Sequence, residues 1–284
     1  MAIYLPQLPA LTYWQMHSMT HVHLIGAPTD CNSSFRRGPA RAPALIRAAL
    51  FSDMGNTAAE GGAEIGREIM LVDAGDLALT EGPGDDALIS AATRAACAAG
   101  AVPLLLGGDH SVSFPAVAGV ASVHGPVTIL HFDAHPDLYD ELGGNRRSHA
   151  SPFARIMEAG LATRLVQVGI RTLNAHQREQ AARFGVEIVA MRDFQAANVP
   201  IPAAPLYVSV DLDGLDPAFA PGVSHHEPGG LSVRQLLDVL ARIPGAIVGG
   251  DIVEYNPDFD INGMTAAVAA KLVKELAAIA IRPA

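Results

Sequence analysis

Three short segments of the chain bring acids, histidines and glycines together: LLLGGDHS at 104–111, ILHFDAHPD at 129–137 and YVSVDLDGLDP at 207–217. Each follows a run of apolar residues. The first delivers Asp109 and His110 after a glycine turn. The second delivers Asp133, His135 and Asp137, and the third Asp211, Asp213 and Asp216. Carboxylates at this density repel one another unless water screens them or a positive charge sits among them. Along an extended chain alternate residues share a side. The spacing therefore predicts that Asp133, His135 and Asp137 point together, and that Asp211 and Asp213 do the same. One cation needs fewer anionic groups than this, whereas two divalent cations sharing bridging carboxylates would use them all.

The donor types narrow the metal. Carboxylates with a minority of imidazoles favour a hard-to-intermediate ion such as Mn²⁺, with Fe²⁺, Co²⁺ and Ni²⁺ fitting nearly as well. With no thiolate donor in the set, a structural zinc site is disfavoured. Each segment taken alone has a plainer reading, as a capped turn or a solvated loop. Their recurrence at three apolar run ends argues for a site.

The elements that must position these residues are legible as eight apolar runs: HVHLIGAP, IMLVDAGD, VPLLLGGDH, VTILHFDAH, RLVQVGIR, VEIVAMRD, PLYVSVDLD and AIVGGDIVE. Continuous Val/Ile/Leu runs of this length suit strands buried on both faces of a parallel sheet. Between them, 85–99, 232–242 and 264–280 have helical spacing, with Ser232 placed as an N-cap. Strand and helix alternate without a linker, repeat or low-complexity segment. This predicts a single α/β domain over 21–284, layered helix–sheet–helix on a mostly parallel sheet of about eight strands. In such sheets ligands bind beyond the carboxyl ends of the strands, where the three segments lie.

Bulk composition sets outer bounds. Half of the 284 residues are hydrophobic, only 17% are charged, and the formal net charge is −10. That supplies a sizeable core and disfavours a nucleic-acid partner. An acidic balance mildly suits a cationic substrate. Two cysteines, Cys31 and Cys97, make no disulfide framework, and a reducing compartment is the default. No apolar run has the length to cross a membrane. Residues 1–20 read as a loose extension without signal-peptide character, with Met16 or Met19 as alternative starts. These readings together lead us to expect a cytoplasmic protein.

GGDHS, DAHPD and SVDLDGLDPAFAPG resemble the signature motifs of the ureohydrolases, the family of arginases, agmatinases and their relatives. The likeness extends from RRGPARAPALIR to GGDIVEYNPDFD. APGVSHHEPGGLS and GMTAAVAAKLVKELA look most like plant-type arginases (arginine amidohydrolases). The resemblance implies a three-layer α/β fold with a parallel eight-stranded sheet, a binuclear manganese centre, and homo-oligomers such as trimers or hexamers. It implies one metal on His110, Asp133, Asp137 and Asp211, and the other on His135, Asp133, Asp211 and Asp213. Asp133 and Asp211 would then bridge, leaving Asp109 as a supporting residue or turn cap. A hydroxide held between the metals would attack the guanidinium carbon and release urea. By the same resemblance Glu254 accepts hydrogen bonds from the guanidinium. Asp137 would supply a proton to the leaving amine, and His149 would shuttle protons to bulk water.

Substrate choice turns on the end far from the guanidinium. Asn145 and Ser148, in the loop after Asp137, are candidates for binding an α-carboxylate, and Arg146 or Arg147 for attracting one. Asn174 and Gln177 stand where animal arginases carry acids that meet the α-ammonium. His225 and His226 replace a Gly-Thr-Pro step common in the family. Plant-type arginases have a histidine at the first of these positions, which favours L-arginine, with agmatine or another guanidino acid as alternatives. Metal-dependent deacetylases share the fold class but use one zinc, and the complete second donor set argues against them. A non-catalytic homologue would lack ligands, and none is missing.

Overall fold

Each of the eight apolar runs forms a strand: β1 (His21–Ala27), β2 (Met70–Asp76), β3 (Val102–Gly107), β4 (Val127–Phe132), β5 (Ala162–Ile170), β6 (Glu187–Ala190), β7 (Leu206–Asp211) and β8 (Ile247–Val253). The computed structural model describes residues 21–283; the expected extension at 1–20 lies outside the described residues. All pairings are parallel, in one sheet of order β2-β1-β3-β8-β7-β4-β5-β6. Parallel pairing requires a crossover between strands; among the described residues six α-helices lie between strands, α1 (Ala42–Leu50), α2 (Asp85–Ala98), α3 (Ser113–His124), α4 (Pro152–Glu158), α5 (Ala175–Phe184) and α6 (Val233–Ala241), and a seventh, α7 (Met264–Ala280), follows β8.

The strand period of two sorts the core into two layers. Leu104, Leu106, Leu130, Phe132, Val208 and Val210 pack with α1, α6 and α7 on one face. Residues one step along, Leu105, Ile129 and Tyr207, pack with helices α2 to α5 on the other. Ser232 caps α6 as expected, in a reciprocal capping box with Gln235. The inner strands β3, β4 and β7 are buried throughout. Edge strand β2 departs from the expectation of two-faced burial and is largely exposed. It has a neighbour on one side only, and Arg47 of α1 reaches it through ion pairs with Asp73 and Asp76.

The chain order places the chemistry. Strands β7 and β8, the last in the chain, insert between β3 and β4. Four adjacent central strands therefore end side by side, at Gly107, Val253, Asp211 and Phe132. Residues from 107–110, 133–137, 211–213 and 254 meet above those ends.

Candidate active site

At the end of β3, Gly108 is required for close approach, since a Cβ there would lie 1.6 Å from the carbonyl oxygen of Thr29. Asp109 then caps a 3₁₀ turn, accepting hydrogen bonds from Ser111 N at 3.0 Å and Asn32 N at 2.9 Å. That turn aims the fully buried His110 into the sheet's central groove.

The second and third segments are gathered by turns, which corrects the expectation from strand alternation. Strand β4 stops at Phe132, so Asp133, His135 and Asp137 lie on an irregular loop. Asp137 adopts a left-handed backbone, φ 49°, which costs an L-residue about 1–3 kcal/mol and is held by its surroundings. Asp211 ends β7, and its Oδ1 accepts from Asp213 N at 2.8 Å, folding Asp213 back into a 3₁₀ turn. Gly214 lets this turn lie on the other loop, because a Cβ would sit 2.8 Å from Asp133 N. Two local caps and one close approach, rather than the pleat, bring these donors together.

The resulting geometry has three overlapping groups of donors, all sharing Asp133: His110/His131/Asp133, His110/Asp133/Asp137/Asp211 and Asp133/His135/Asp213, of which the last two open toward the cavity. Nδ1 of His110 lies 3.0 Å from Asp137 Oδ2, 3.1 Å from Asp211 Oδ2 and 3.3 Å from Asp133 Oδ2. It is nonetheless a buried nitrogen without a hydrogen bond. Nδ1 of His135 lies 3.1 Å from Asp213 Oδ2 and 3.4 Å from Asp133 Oδ1. Burial, with Asp213 and Asp133 alongside, pushes Asp211 well above the usual carboxylate range. Burial likewise pushes Asp213 up to about 6, against the pull of His135 and with Asp133 adding to it. Such crowding is relieved by a cation. An unpartnered imidazole nitrogen facing three carboxylate oxygens is a donor set that fits a divalent metal. His131 braces the cluster. Its Nε2 meets Asp133 Oδ2 at 2.9 Å, and its ring lies 4.0 Å from that of Phe153.

Behind this cluster, Glu254 follows β8 with φ 63°. Its Oε1 accepts from His110 N at 2.9 Å and pairs with His149 Nδ1 at 2.8 Å. The opposite nitrogen of His149 meets Ser34 Oγ at 2.9 Å. Burial works against charge on His149, but the Glu254 carboxylate outweighs it and pushes the imidazole up to about 9. Glu254 is lowered in turn, His149 overcoming its burial.

A cavity of about 210 Å³ opens onto the donors, lined among others by His135, Asp137, His149, Gln177, His225 and Glu227. Of the residues expected to meet substrate, His225 lines it, its ring 5.1 Å from His149 and 5.9 Å from His135. The structure does not bring Asn145, Ser148, Asn174 or Glu254 to the cavity wall; Glu254 lies buried behind His149. Asn145 bonds Asn32, and Ser148 accepts from Ala150 N. Asn174 caps α5 and reaches Tyr139. Arg147 is tied to Asp86, and Arg146 to Asp140 and Glu158. His226 bonds the Pro221 carbonyl.

Sequence reasoning missed Ser34, Tyr139, Thr172 and Glu227 as lining residues. Glu227, an acid two positions after His225, carried a signal; Ser34, remote in sequence, carried none. It also missed Arg171, whose guanidinium donates to the carbonyls of Gly169, Asp213, Gly214, Leu215 and Glu227. That fork ties the Asp213 turn to the loop carrying Glu227.

Comparison with known proteins follows this geometry. An arginase of Arabidopsis thaliana, "Arginase 1, mitochondrial", is 50% identical over 272 residues, covering 90% of this chain and 80% of that protein. Its namesake in Oryza sativa subsp. indica is 49% identical over the same shares. The solved arginase from Medicago truncatula superposes with a TM-score of 0.84 at 44% identity, over 92% of this chain and 87% of that one. The mitochondrial naming of these plant relatives overturns the expected cytoplasmic location and points to mitochondria. Two unpaired cysteines imply only a reducing compartment, and that does not single out the cytoplasm. Residues 20–278 match the arginase family, a metal-dependent family acting on small guanidino compounds, and the chain belongs to it.

Proposed function

We propose that this chain hydrolyses the guanidinium group of L-arginine to urea and L-ornithine, with two Mn²⁺ ions as its native cofactor. The observation that carries this reading is the pair of cavity-facing donor groups sharing Asp133, with an unpartnered buried Nδ1 in one of them. His110, Asp133, Asp137 and Asp211 would hold one ion. Asp133, His135 and Asp213, with Asp211 adjoining, would hold the other. When bound, such ions supply the Lewis acidity that makes water a nucleophile near neutral pH.

The chain's own groups do the rest. The guanidinium is a poor electrophile and must be held in line. Glu254 has one oxygen committed to His110 N and His149, and its second oxygen would accept from the guanidinium N–H groups once a substrate reaches past His149. Asp137, facing the cavity, takes a proton from the attacking water and passes it to the leaving amine. His149 is charged at neutral pH and exchanges protons with bulk through Ser34 Oγ at the cavity surface. His225 is held neutral by burial and by the neighbouring His149, so it walls the cavity without repelling a cationic substrate.

Gln177 favours L-arginine over agmatine. It is 3% exposed, lines the cavity, and its Oε1 is buried without a partner. A substrate with an α-ammonium satisfies that acceptor, while agmatine leaves it desolvated, at a cost of about 1–3 kcal/mol. The test is kcat/KM of Mn²⁺-loaded enzyme on L-arginine, agmatine and 4-guanidinobutyrate, repeated with Gln177→Leu. L-arginine should lead, and the variant should lose roughly 10- to 100-fold on it alone. A dominant agmatine value would sink the arginine reading.

A further inference from the structure

The nitrogen of His110 that faces away from the cavity enters a buried chain of hydrogen bonds. Nε2 lies 3.1 Å from Ser209 Oγ, which donates to Asp251 Oδ1 at 2.6 Å. The second Asp251 oxygen accepts from the Tyr207 hydroxyl at 2.8 Å. Ser209 and Asp251 are fully buried and are register partners across β7 and β8. The Gly249–Gly250 step before Asp251 makes room for this arrangement, since a Cβ on Gly249 would lie 2.9 Å from the Tyr207 ring. Asp251 has no cationic side chain beside it in any ion pair among the described residues. A carboxylate held in the middle of a sheet by two neutral hydroxyls is costly to bury, and no step of the reaction above uses it.

The proton count shows what it does. Ser209 has one hydroxyl hydrogen, and Asp251 takes it. Ser209 Oγ must then accept from His110 Nε2–H. We infer that Asp251, acting through Ser209, fixes a His110 proton on Nε2, so that Nδ1 is the nitrogen that faces the three carboxylates and would donate to a cation among them. Asp251 is thus a positioning residue: its charge, two hydrogen bonds away, holds the ring's orientation and strengthens its donor nitrogen. The inference rests on the metal reading proposed above for His110.

The test compares Ser209→Ala, Ser209→Thr, Asp251→Asn and Tyr207→Phe with the full-length wild-type chain. Two readouts are used: calorimetric titration with Mn²⁺ after chelator treatment, and the imidazole N–H spectrum of the cation-free protein. Ser209→Ala and Asp251→Asn should weaken one equivalent of Mn²⁺ by roughly 10- to 100-fold. Ser209→Thr, which keeps the hydroxyl, should restore it. Tyr207→Phe removes a hydrogen bond to Asp251 without touching His110, so it should lower thermal stability and leave Mn²⁺ affinity within about twofold. In the spectrum, wild type should show a downfield, slowly exchanging His110 Nε2–H that Ser209→Ala shifts upfield. Unchanged Mn²⁺ affinity in Ser209→Ala, or equal losses in Ser209→Ala and Tyr207→Phe, would overturn the inference. If Asp251→Asn fails to fold, the two Ser209 variants decide. If wild type takes up no cation, the metal reading falls. The Nε2–H signal and its response to Ser209→Ala then still judge the relay.

Discussion

The two imidazoles of the site face opposite conditions. His110 is 0% exposed, its inner nitrogen is held by Ser209 inside the sheet, and its outer nitrogen meets three carboxylates. The side chain of His135 is 24% exposed, and its outer nitrogen looks toward Glu227 at 3.7 Å, a side chain 37% exposed. Both halves stand on turns beyond the strand ends, but one is backed by strand interiors through Ser209 and the other opens to the cavity. The difference teaches that similar donor chemistry has been given two degrees of burial. The His110 half is shut off from solvent, whereas the His135 half faces the cavity.

Breaking what the halves share should have the largest effect. Asp133 belongs to the donor groups of both halves, so Asp133→Asn should abolish several kcal/mol of transition-state stabilisation, a loss on the order of 10³-fold or more in kcat. Urea release assays on Mn²⁺-loaded enzyme check this, and full activity would mean that the two halves do not act together.

The buried half should also carry a stability signature. His149 titrates near 9 against an ordinary value of 6.5, because Glu254 outweighs its burial. A raised histidine contributes stability that is present in full below about 6.5 and lost as pH rises through about 9, up to roughly 3 kcal/mol. Thermal unfolding of the cation-free protein across that window should show the decline, and His149→Gln should flatten it. An unchanged slope in that variant would mean that the pair is not formed. Smallest of all is the open half's outer partner. The contact between Glu227 and His135 is long and solvent-facing, so Glu227→Gln should change Mn²⁺ affinity by at most about 1 kcal/mol in a direct titration. A loss as large as that expected for Ser209→Ala would erase the contrast between the halves.

Much of this was legible in the chain. Buried parallel strands need continuous apolar runs, and runs such as VTILHF and LYVSVD carry no competing signal. The six donors were legible because each sits within a few residues of such a run's end. What misled was the pleat: Asp137 is turned inward by its left-handed backbone, and Asp213 by a 3₁₀ turn that Asp211 caps. Asn145 and Ser148 have the chemistry to bind a carboxylate and Asn174 to meet an ammonium, yet Asn145 is used by the loop carrying Asn32 and the other two cap their own segments. Residue type alone does not report competing partners.

By itself, then, the sequence determined the alternation of strand and helix, the parallel sheet, and which six side chains are candidate donors, because these depend on local pattern and on motifs within single segments. Only the tertiary structure decided which strands end side by side. The insertion of β7 and β8 between β3 and β4 puts Asp251 and Ser209 behind His110, Glu254 beside His149, and Ser34 on the cavity wall. These pairs are 42, 105 and 115 residues apart in the chain where they touch as Ser209–Asp251, His149–Glu254 and Ser34–His149. Contacts at such separations are set by how the sheet closes around its core, and no local spacing encodes them.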